Sequence, residues 1–494
     1  MTISIHSLRY PDRLFIDGAW VAPADDSRSI AVVDAGTEEV FLTVAEAMEP
    51  DIDRAVAAAR RAFDVGPWPN LSHEERAGYL RAVGDALVGF SADMADAWTR
   101  EVGILRTASG AVTGGVSKTY TQYADLATTF PFVERHRPAA GNVGLLVREP
   151  VGVVGAIVPW NSPITMIAHK VAPALLAGCT VIIKSSPEAP TAGLVMAEIC
   201  ERVGLPPGVV NVVTADRAAS EALVRNPDVD KITFTGSSAA GRIIASLCGE
   251  RMARCTMELG GKSAGIILDD YDLATAARSI ANTARIMTGQ VCSSLTRIIV
   301  GRHRHDAFVE ALAAEFKETR VGDPFSVDTQ MGPLATLRQR DRVESYIRAG
   351  LHEGAQLAAG GARPAGLDRG FYVEPTLFAE VDNNMTVARE EIFGPVLSVI
   401  PANDEEHAIG IANDTPFGLN ASVFTEDVDH AYGVARRLRS GTVGHNSWRT
   451  DFSIAFGGFK QSGIGREGSR EGLYPFLETK TVILEGAPAV IAPL

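Results

Sequence analysis

Residues 153–184 read VVGAIVPWNSPITMIAHKVAPALLAGCTVIIK. The run begins with an apolar, β-branched stretch that breaks at Pro159-Trp160-Asn161. Helix-compatible residues follow over 165–176 and stop at Gly178, and a second β-branched run, TVIIK, comes next. This is the pattern of strand, crossover helix and parallel strand. The alternation continues outward. Residues 191–203 read as a helix ended by Gly204 and Pro206-Pro207, then VVNVV as a strand, 218–225 as a helix, KITFTG as a strand and 239–249 as a helix. Such a series predicts a parallel sheet with helices packed on it. Ligands of such sheets gather outside the carboxyl ends of the strands.

A second α/β series follows Gly261: GIIL, a helix over 273–288, TRIIV, helices over 306–319 and 337–350, GPVLSVI, a helix over 404–412 and SVFT. Ahead of both series lie short strands over 14–33 with a turn at Asp17-Gly18. Helices follow over 51–63, with Asp51 as N-cap, over 72–90 and over 91–102. Residues 130–158 read as an extended ribbon and 478–484 as a last strand. An extended ribbon leaves an unpaired edge, which a second subunit commonly covers.

The chain has 494 residues, enough for two or three domains. Its net charge of -14 argues against nucleic acid or an anionic membrane surface as the main partner. The first twenty residues lack the pattern of a secretion signal, and no apolar run is long enough to span a bilayer. The five cysteines are an odd number without C-x-x-C, which fits reduced thiols in the cytoplasm and no structural zinc. His303 and His305 form an H-x-H pair read as surface, so no metal is expected.

Cys292 stands at the break between the 273–288 helix and TRIIV, after Gly289 and Gln290 and before Ser293-Ser294. A free cysteine is most often a small buried hydrophobe. A sulfur at such a break can also face a cleft, where it needs partners to act as a nucleophile. Four stretches offer them. Pro159-Trp160-Asn161 places an amide at a strand end. Phe234-Thr235-Gly236-Ser237 runs into a helix containing Gly241, a start that suits a phosphate. Glu258-Leu259-Gly260-Gly261-Lys262-Ser263 sets a carboxylate beside two glycines, and Glu390-Glu391-Ile392-Phe393-Gly394-Pro395 pairs carboxylates with an aromatic. GGKS is not a P-loop, since Thr256 stands where the first glycine belongs. G-K-S-A-G is not a nucleophile elbow, since a strand follows it rather than a helix.

In this order PWN, FTGS, ELGGKS, GQ-x-C, EEIFGPV and FGGFK-x-SG-x-GRE resemble the aldehyde dehydrogenase superfamily of the NAD(P)-dependent, non-acylating kind, over nearly the whole chain. The resemblance implies an α/β fold with a Rossmann-like cofactor domain over 1–127 and 150–258, and a catalytic domain over 259–460. A small oligomerisation element is implied over 128–149 and 478–494. It implies Cys292 as nucleophile, Glu258 as general base, Asn161 as oxyanion donor and Lys170 as a proton relay, with Glu467 in a supporting role. Ile157, Pro159, Trp160, Lys184, Glu188, Gly236, Ser237, Gly241, Leu259, Glu391 and Phe393 are the implied cofactor positions. The cofactor is NAD, with NADP as the alternative, and the partners are a small aldehyde and copies of the same chain in a homodimer or homotetramer.

The departures from the family pattern fall at the edges of this site. Lys184-Ser185-Ser186-Pro187 stands where K-P-x-E is usual, with Glu188 one place late. Ser162, His169, Trp448 and Phe456 are the implied tunnel positions, and Ala455 replaces the proline of PFGG. They favour a neutral apolar or aromatic aldehyde. A CoA-acylating enzyme and a catalytically silent homologue are the rival readings, and hydrolysis of activated esters at Cys292 is an expected side activity.

Overall fold

The computed structural model describes residues 8–489; residues 1–7 of the expected cofactor domain and 490–494 of the expected oligomerisation element lie outside them. Five parallel strands form the centre of the first sheet, in the order Arg254–Glu258, Lys231–Thr235, Val153–Ile157, Thr180–Ser185, Val210–Thr214. Antiparallel strands close both flanks. Gly463–Ile464 lies beside Arg254–Glu258, and the Leu14–Ile16 and Ala19–Val21 hairpin lies beside Val210–Thr214. The α/β reading from residues 153–184 therefore holds, as does the turn at Asp17-Gly18, where Asp17 has φ +57°.

The second sheet runs Gln356–Ala359, Thr376–Ala379, Val396–Ala402, Leu295–Gly301, Ser263–Ile267, Asn420–Phe424, Thr442–His445, parallel except at its first strand. A third, antiparallel sheet joins Leu477–Leu484, Val143–Pro150 and Val133–His136. Ser29–Val33 and Val40–Ala45 form a separate hairpin.

Three local readings change. Residues 72–102 form one helix, His73–Val102, capped by Ser72 and ended at Gly103 with φ +81°. Ser91 does not interrupt it, because its hydroxyl donates back to the Val88 carbonyl at 2.9 Å. The helix read from Asp51 begins two residues earlier, at Glu49. The buried Asp51 carboxylate reaches back to the Met48 and Ala24 backbone N–H groups, 2.9 Å each. The helix before Cys292 stops at Arg285, and Met287 and Thr288 then take φ of 49° and 55°.

The H-x-H pair is not uniformly on the surface. His303 is exposed beside Asp269, but His305 is only 1% exposed. Its Nδ1 lies 2.9 Å from Asp306 and 3.2 Å from Glu380, while its Nε2 accepts from the Glu380 N–H at 3.3 Å. One face of the helix His305–Lys317 packs inward, and that buries its first residue.

The helix Pro163–Ala177 is apolar all round and sits inside the largest core cluster. A helix with no polar face belongs in the interior. Its placement carries Lys170 into the core, where a charge needs a counter-ion.

Candidate active site

The carboxyl ends of the first sheet's parallel strands lie side by side. Ile157 is in register with Lys184 and Phe234, and Thr235 with Glu258. The chain leaves Ile157 through Pro159 and Trp160 and enters the helix Pro163–Ala177 behind Asn161 and Ser162. Trp98 Nε1 donates to the Asn161 carbonyl at 2.8 Å, and Asn161 Nδ2 donates to the Gln290 carbonyl at 2.9 Å. One hydrogen of that amide is so used, and the second remains to meet a developing negative charge.

The nucleophile candidate arrives from the second sheet. Between Arg285 and Leu295 the chain passes three consecutive left-handed residues, Met287, Thr288 and Gly289. Gly289 is required, since a Cβ there would lie 2.4 Å from the Gly394 carbonyl. Side-chain bonds hold this loop. Gln290 Nε2 donates to Met287 O (2.9 Å) and Val102 O (3.3 Å), and Gln290 Oε1 accepts from Ala335 N at 2.9 Å. Thr288 Oγ1 donates to Gly332 O at 2.9 Å. On the other side Trp448 Nε1 donates to the Ser293 carbonyl at 3.0 Å. Cys292 is half-buried, and its own backbone packs on ELGGKS: a Cβ at Gly261 would come within 2.4 Å of the Cys292 carbonyl oxygen.

Burial, then the Glu391 and Glu258 carboxylates, push the Cys292 thiol up, while the Ser293 and Cys292 N–H groups pull it down. The resting sulfur is therefore a thiol. Glu258 is 2% exposed, and neither carboxylate oxygen has a hydrogen-bond partner among the described residues. Burial first, and the neighbouring Glu467 second, raise its pKa well above the usual carboxylate range; Lys170 and Arg466 oppose this. Lys170, fully buried, is ion-paired with Glu467 and donates to Thr233 Oγ1 at 3.3 Å. One buried ammonium thus faces two buried carboxyl groups and only partly offsets the upward shift at Glu258.

The cofactor candidates divide into two groups. Lys184 is buried, lowered to about 8 by that burial, and its Nζ makes one long bond, 3.5 Å to Ala215 O. An under-satisfied buried ammonium at a strand end fits a hydroxyl-rich ligand. Gly236 and Ser237 open the helix Ser238–Glu250, where Ser237 caps Ala240 N at 3.2 Å. A Cβ at Gly241 would meet the Leu259 side chain at 2.5 Å, so strand end and helix approach closely there. Glu391 lies over the Gly260-Gly261 backbone and accepts from Gly261 N at 3.2 Å; burial raises it to about 7. Trp160 and Phe393 meet edge to face at 5.4 Å. Glu188 is committed elsewhere: it is bonded to Ser186 and, at 2.6 Å, to Arg338.

The tunnel candidates are linked by residues the sequence did not single out. His169 stacks on Phe452 at 4.1 Å, and Phe452 on Phe456 at 4.4 Å. Burial, and Lys170 beside it, lower His169 to about 3, so this wall is uncharged. Ser162 Oγ faces Met287 Sδ at 3.8 Å. Phe452 and Trp98 were missed and carry no motif. Arg466 lies within the GRE motif and Gly457 within FGGFK, where a Cβ would come 2.7 Å from Glu258 Oε1.

A family model described as the aldehyde dehydrogenase family matches residues 20–482. The chain is 42% identical over 474 residues to a geranial dehydrogenase of Castellaniella defragrans, covering 96% of this chain and 98% of that protein. It is likewise 42% identical to a 3-succinoylsemialdehyde-pyridine dehydrogenase of Pseudomonas sp, covering 95% and 98%. Among solved structures it is similar to a Mycobacterium tuberculosis aldehyde dehydrogenase complexed with NAD+, with TM-score 0.94, 43% identity and coverage of 99% and 100%. It is also similar to a variant of aldehyde dehydrogenase C from Pseudomonas syringae, complexed with NAD+ and octanal, with TM-score 0.92, 40% identity and coverage of 97% and 98%.

Proposed function

Since the chain belongs to the aldehyde dehydrogenase family, we propose that it oxidises a neutral apolar or aromatic aldehyde to the carboxylic acid, with NAD as acceptor and water as co-substrate. The observation that carries this reading is the meeting of Cys292, Asn161 and Glu258 where the two sheets join. The Cys292 sulfur, once ionised Glu258 has taken its proton, attacks the aldehyde carbon. The free Asn161 amide hydrogen and the Cys292 N–H hold the oxygen of the resulting thiohemiacetal. When bound, the nicotinamide supplies the hydride acceptor that turns this adduct into a thioester. Glu258 then takes a proton from the water that releases the acid. A carboxyl group with a raised pKa is a stronger base once ionised, and a positioned base is worth roughly 10²–10⁴-fold. Lys170 and Glu467 carry that proton away from Glu258.

Lys184, the Gly236–Ser237 helix start, Gly241 beside Leu259, Glu391, Ile157, Pro159, Trp160 and Phe393 would hold the dinucleotide. Glu188, tied to Arg338, contributes through Lys184 rather than by direct contact. The uncharged His169–Phe452–Phe456 wall supports an apolar or aromatic aldehyde. A geranial dehydrogenase and an octanal complex among the relatives point the same way. The three sheets support a division into cofactor domain (1–127 and 150–258), catalytic domain (259–460) and oligomerisation element (128–149 and 478–494), with Gly463–Ile464 returning to the first sheet. The exposed edges of the third sheet support a homodimer or homotetramer. No helix among the described residues is long and apolar enough to cross a membrane, in keeping with a cytoplasmic site of action.

An aldehyde panel assayed with NAD and with NADP, in the absence of CoA, tests this reading. Acid should form with both octanal and an aromatic aldehyde, and Cys292→Ala should abolish it. An absolute requirement for CoA would overturn the hydrolytic step, and unchanged NADH production by Cys292→Ala would overturn the mechanism.

A further inference from the structure

The strand Ser263–Ile267 of the second sheet starts beside a small cavity. Lys262, Ser263, Arg297 and Asn420, all buried, form its inner wall, and the half-buried Thr415 and Phe417 form its rim. It has room for an occupant of about one water's size. Three polar atoms of the wall are unsatisfied. Lys262 Nζ, Ser263 Oγ and Asn420 Oδ1 have no hydrogen-bond partner among the described residues. Lys262 is 1% exposed, and a buried ammonium without a counter-ion is costly.

The charge around Lys262 has one sign. Arg297 shares the wall, and its guanidinium is spent on neutral acceptors. Its Nε donates to Lys262 O at 3.0 Å, its Nη1 to Asn383 Oδ1 at 2.9 Å and Ile411 O at 2.8 Å, and its Nη2 to Ala412 O at 2.9 Å. Lys460 Nζ adds a third cation, bonded to Asn413 O at 2.6 Å and Thr415 O at 3.1 Å. The carboxyl groups that act on these cations are committed elsewhere. Glu391 accepts from Gly261 N at 3.2 Å, Glu390 from the Tyr346 hydroxyl at 2.6 Å, and Asp414 pairs with Arg389 at 3.1 Å. None of them reaches Lys262 Nζ.

We propose that this cavity is a binding site for a small monovalent anion of halide size, such as chloride, held by the Lys262 ammonium and the Ser263 hydroxyl.

An anion there accepts from both groups and compensates the Lys262 charge. A water accepts from them as well, but leaves the charge standing. Burial first, and Arg297 second, lower the Lys262 pKa to about 7. A bound anion favours the charged form and opposes that shift. Polyatomic oxyanions such as sulfate exceed the space. The site is separate from the nucleophile but adjoins its support. Lys262 directly follows Gly260-Gly261, the backbone that Glu391 lies over and the Cys292 carbonyl packs against, so the anion anchors the far end of the segment carrying Glu258.

Crystals of the full-length protein soaked in sodium bromide, with diffraction recorded at the bromine edge, test the site directly. The expected result is an anomalous peak against Lys262 Nζ and Ser263 Oγ. In solution, chloride in place of gluconate at equal ionic strength should raise the Tm saturably. Lys262→Met should lose both signals. Ser263→Ala keeps the charge and removes one donor, so its half-saturating chloride concentration should rise about tenfold. This second variant keeps the test decisive if Lys262→Met does not fold. Absence of a bromide peak at Lys262, or a chloride effect on Tm that is the same in Ser263→Ala as in the unaltered protein, defeats the proposal and leaves the cavity to water.

Discussion

The Asn161 turn and the 286–294 loop meet at one hydrogen bond, from Asn161 Nδ2 to the Gln290 carbonyl at 2.9 Å, but they are held differently. The turn is the end of a parallel strand followed at once by a buried helix with Pro163 in its first position. Its conformation follows from the elements on either side, and Trp98 adds one bond to it. The loop has a helix behind it that ends early, three left-handed residues, and a strand ahead. Left-handed backbone costs non-glycine residues roughly 1–2 kcal/mol each. Locally, Gln290 offsets part of this by donating to Met287 O at 2.9 Å. The Gln290, Thr288 and Trp448 side chains do so through distant parts of the chain. The Asn161 amide is thus placed by secondary structure, whereas the Cys292 sulfur is placed by tertiary contacts.

The largest effect on the turn side should come from its buried charge pair. Glu467→Ala leaves the Lys170 ammonium uncompensated in the core, and chemical denaturation should show a loss of about 3–5 kcal/mol. The double variant Lys170→Met, Glu467→Leu should recover most of that stability while remaining impaired in acid formation. If the double variant is as unstable as the single, the charge pair is not what the apolar helix requires.

On the loop side, Gln290→Ala removes two donors and one acceptor from buried carbonyl and N–H groups. A stability loss of about 2–3 kcal/mol is expected. The fall in kcat should be larger than for any single substitution in the turn that spares Asn161. Equal kcat losses for Gln290→Ala and Trp98→Phe would erase the distinction between the two segments.

Glu258 sharpens the comparison through pH. Its folded-state pKa lies above its unfolded value. Below the unfolded pKa both states bind the proton and no penalty arises. As pH rises past the unfolded pKa, only the unfolded state ionises readily, and the carboxyl group increasingly destabilises the fold. Glu258→Gln should therefore raise the Tm more at pH 8 than at pH 5, while slowing acid release roughly 10²–10⁴-fold. A Tm difference that is flat with pH would show that Glu258 ionises normally.

The smallest effects should come from the two indoles. Trp98→Phe and Trp448→Phe each lose one hydrogen bond, about 1 kcal/mol. Their stability losses should match. Inactivation by iodoacetamide as a function of pH should separate them: Trp448→Phe shifts the Cys292 profile upward, since it unties Ser293 at its carbonyl and hydroxyl and so loosens the preceding peptide, whose N–H lowers the thiol. Trp98→Phe leaves the profile in place.

The same contrast governs what could be read from the residues. VVGAIVP, TVIIK and KITFTG are β-branched runs bounded by breakers, and the parallel sheet followed from them directly. The ordered motifs ELGGKS and GQ-x-C led to Glu258 and Cys292. The end of the helix at Arg285 was not legible, because Ile286, Met287 and Thr288 continue an apolar pattern that tertiary bonds override. His305 reads as surface because no clustered His, Cys or carboxylate ligands accompany the H-x-H pair in sequence, and only packing of the following helix buries it. Phe452 carries no motif, and its role comes from stacking between His169 and Phe456.

The strand Arg254–Glu258 has a neighbour from near the end of the chain. Gly463 lies beside Glu258, Gly457 against its carboxylate, and Glu467 against Lys170. Leu477–Leu484 pairs with Val143–Pro150, hundreds of residues earlier. During synthesis a ribosome-bound chain can bury its first sheet and expose Cys292 long before residues 457–467 have emerged. Until they do, Lys170 has no counter-ion and Glu258 no second carboxyl group to hold its proton. The constellation around Cys292 is therefore complete only once the end of the chain has folded back onto the first sheet.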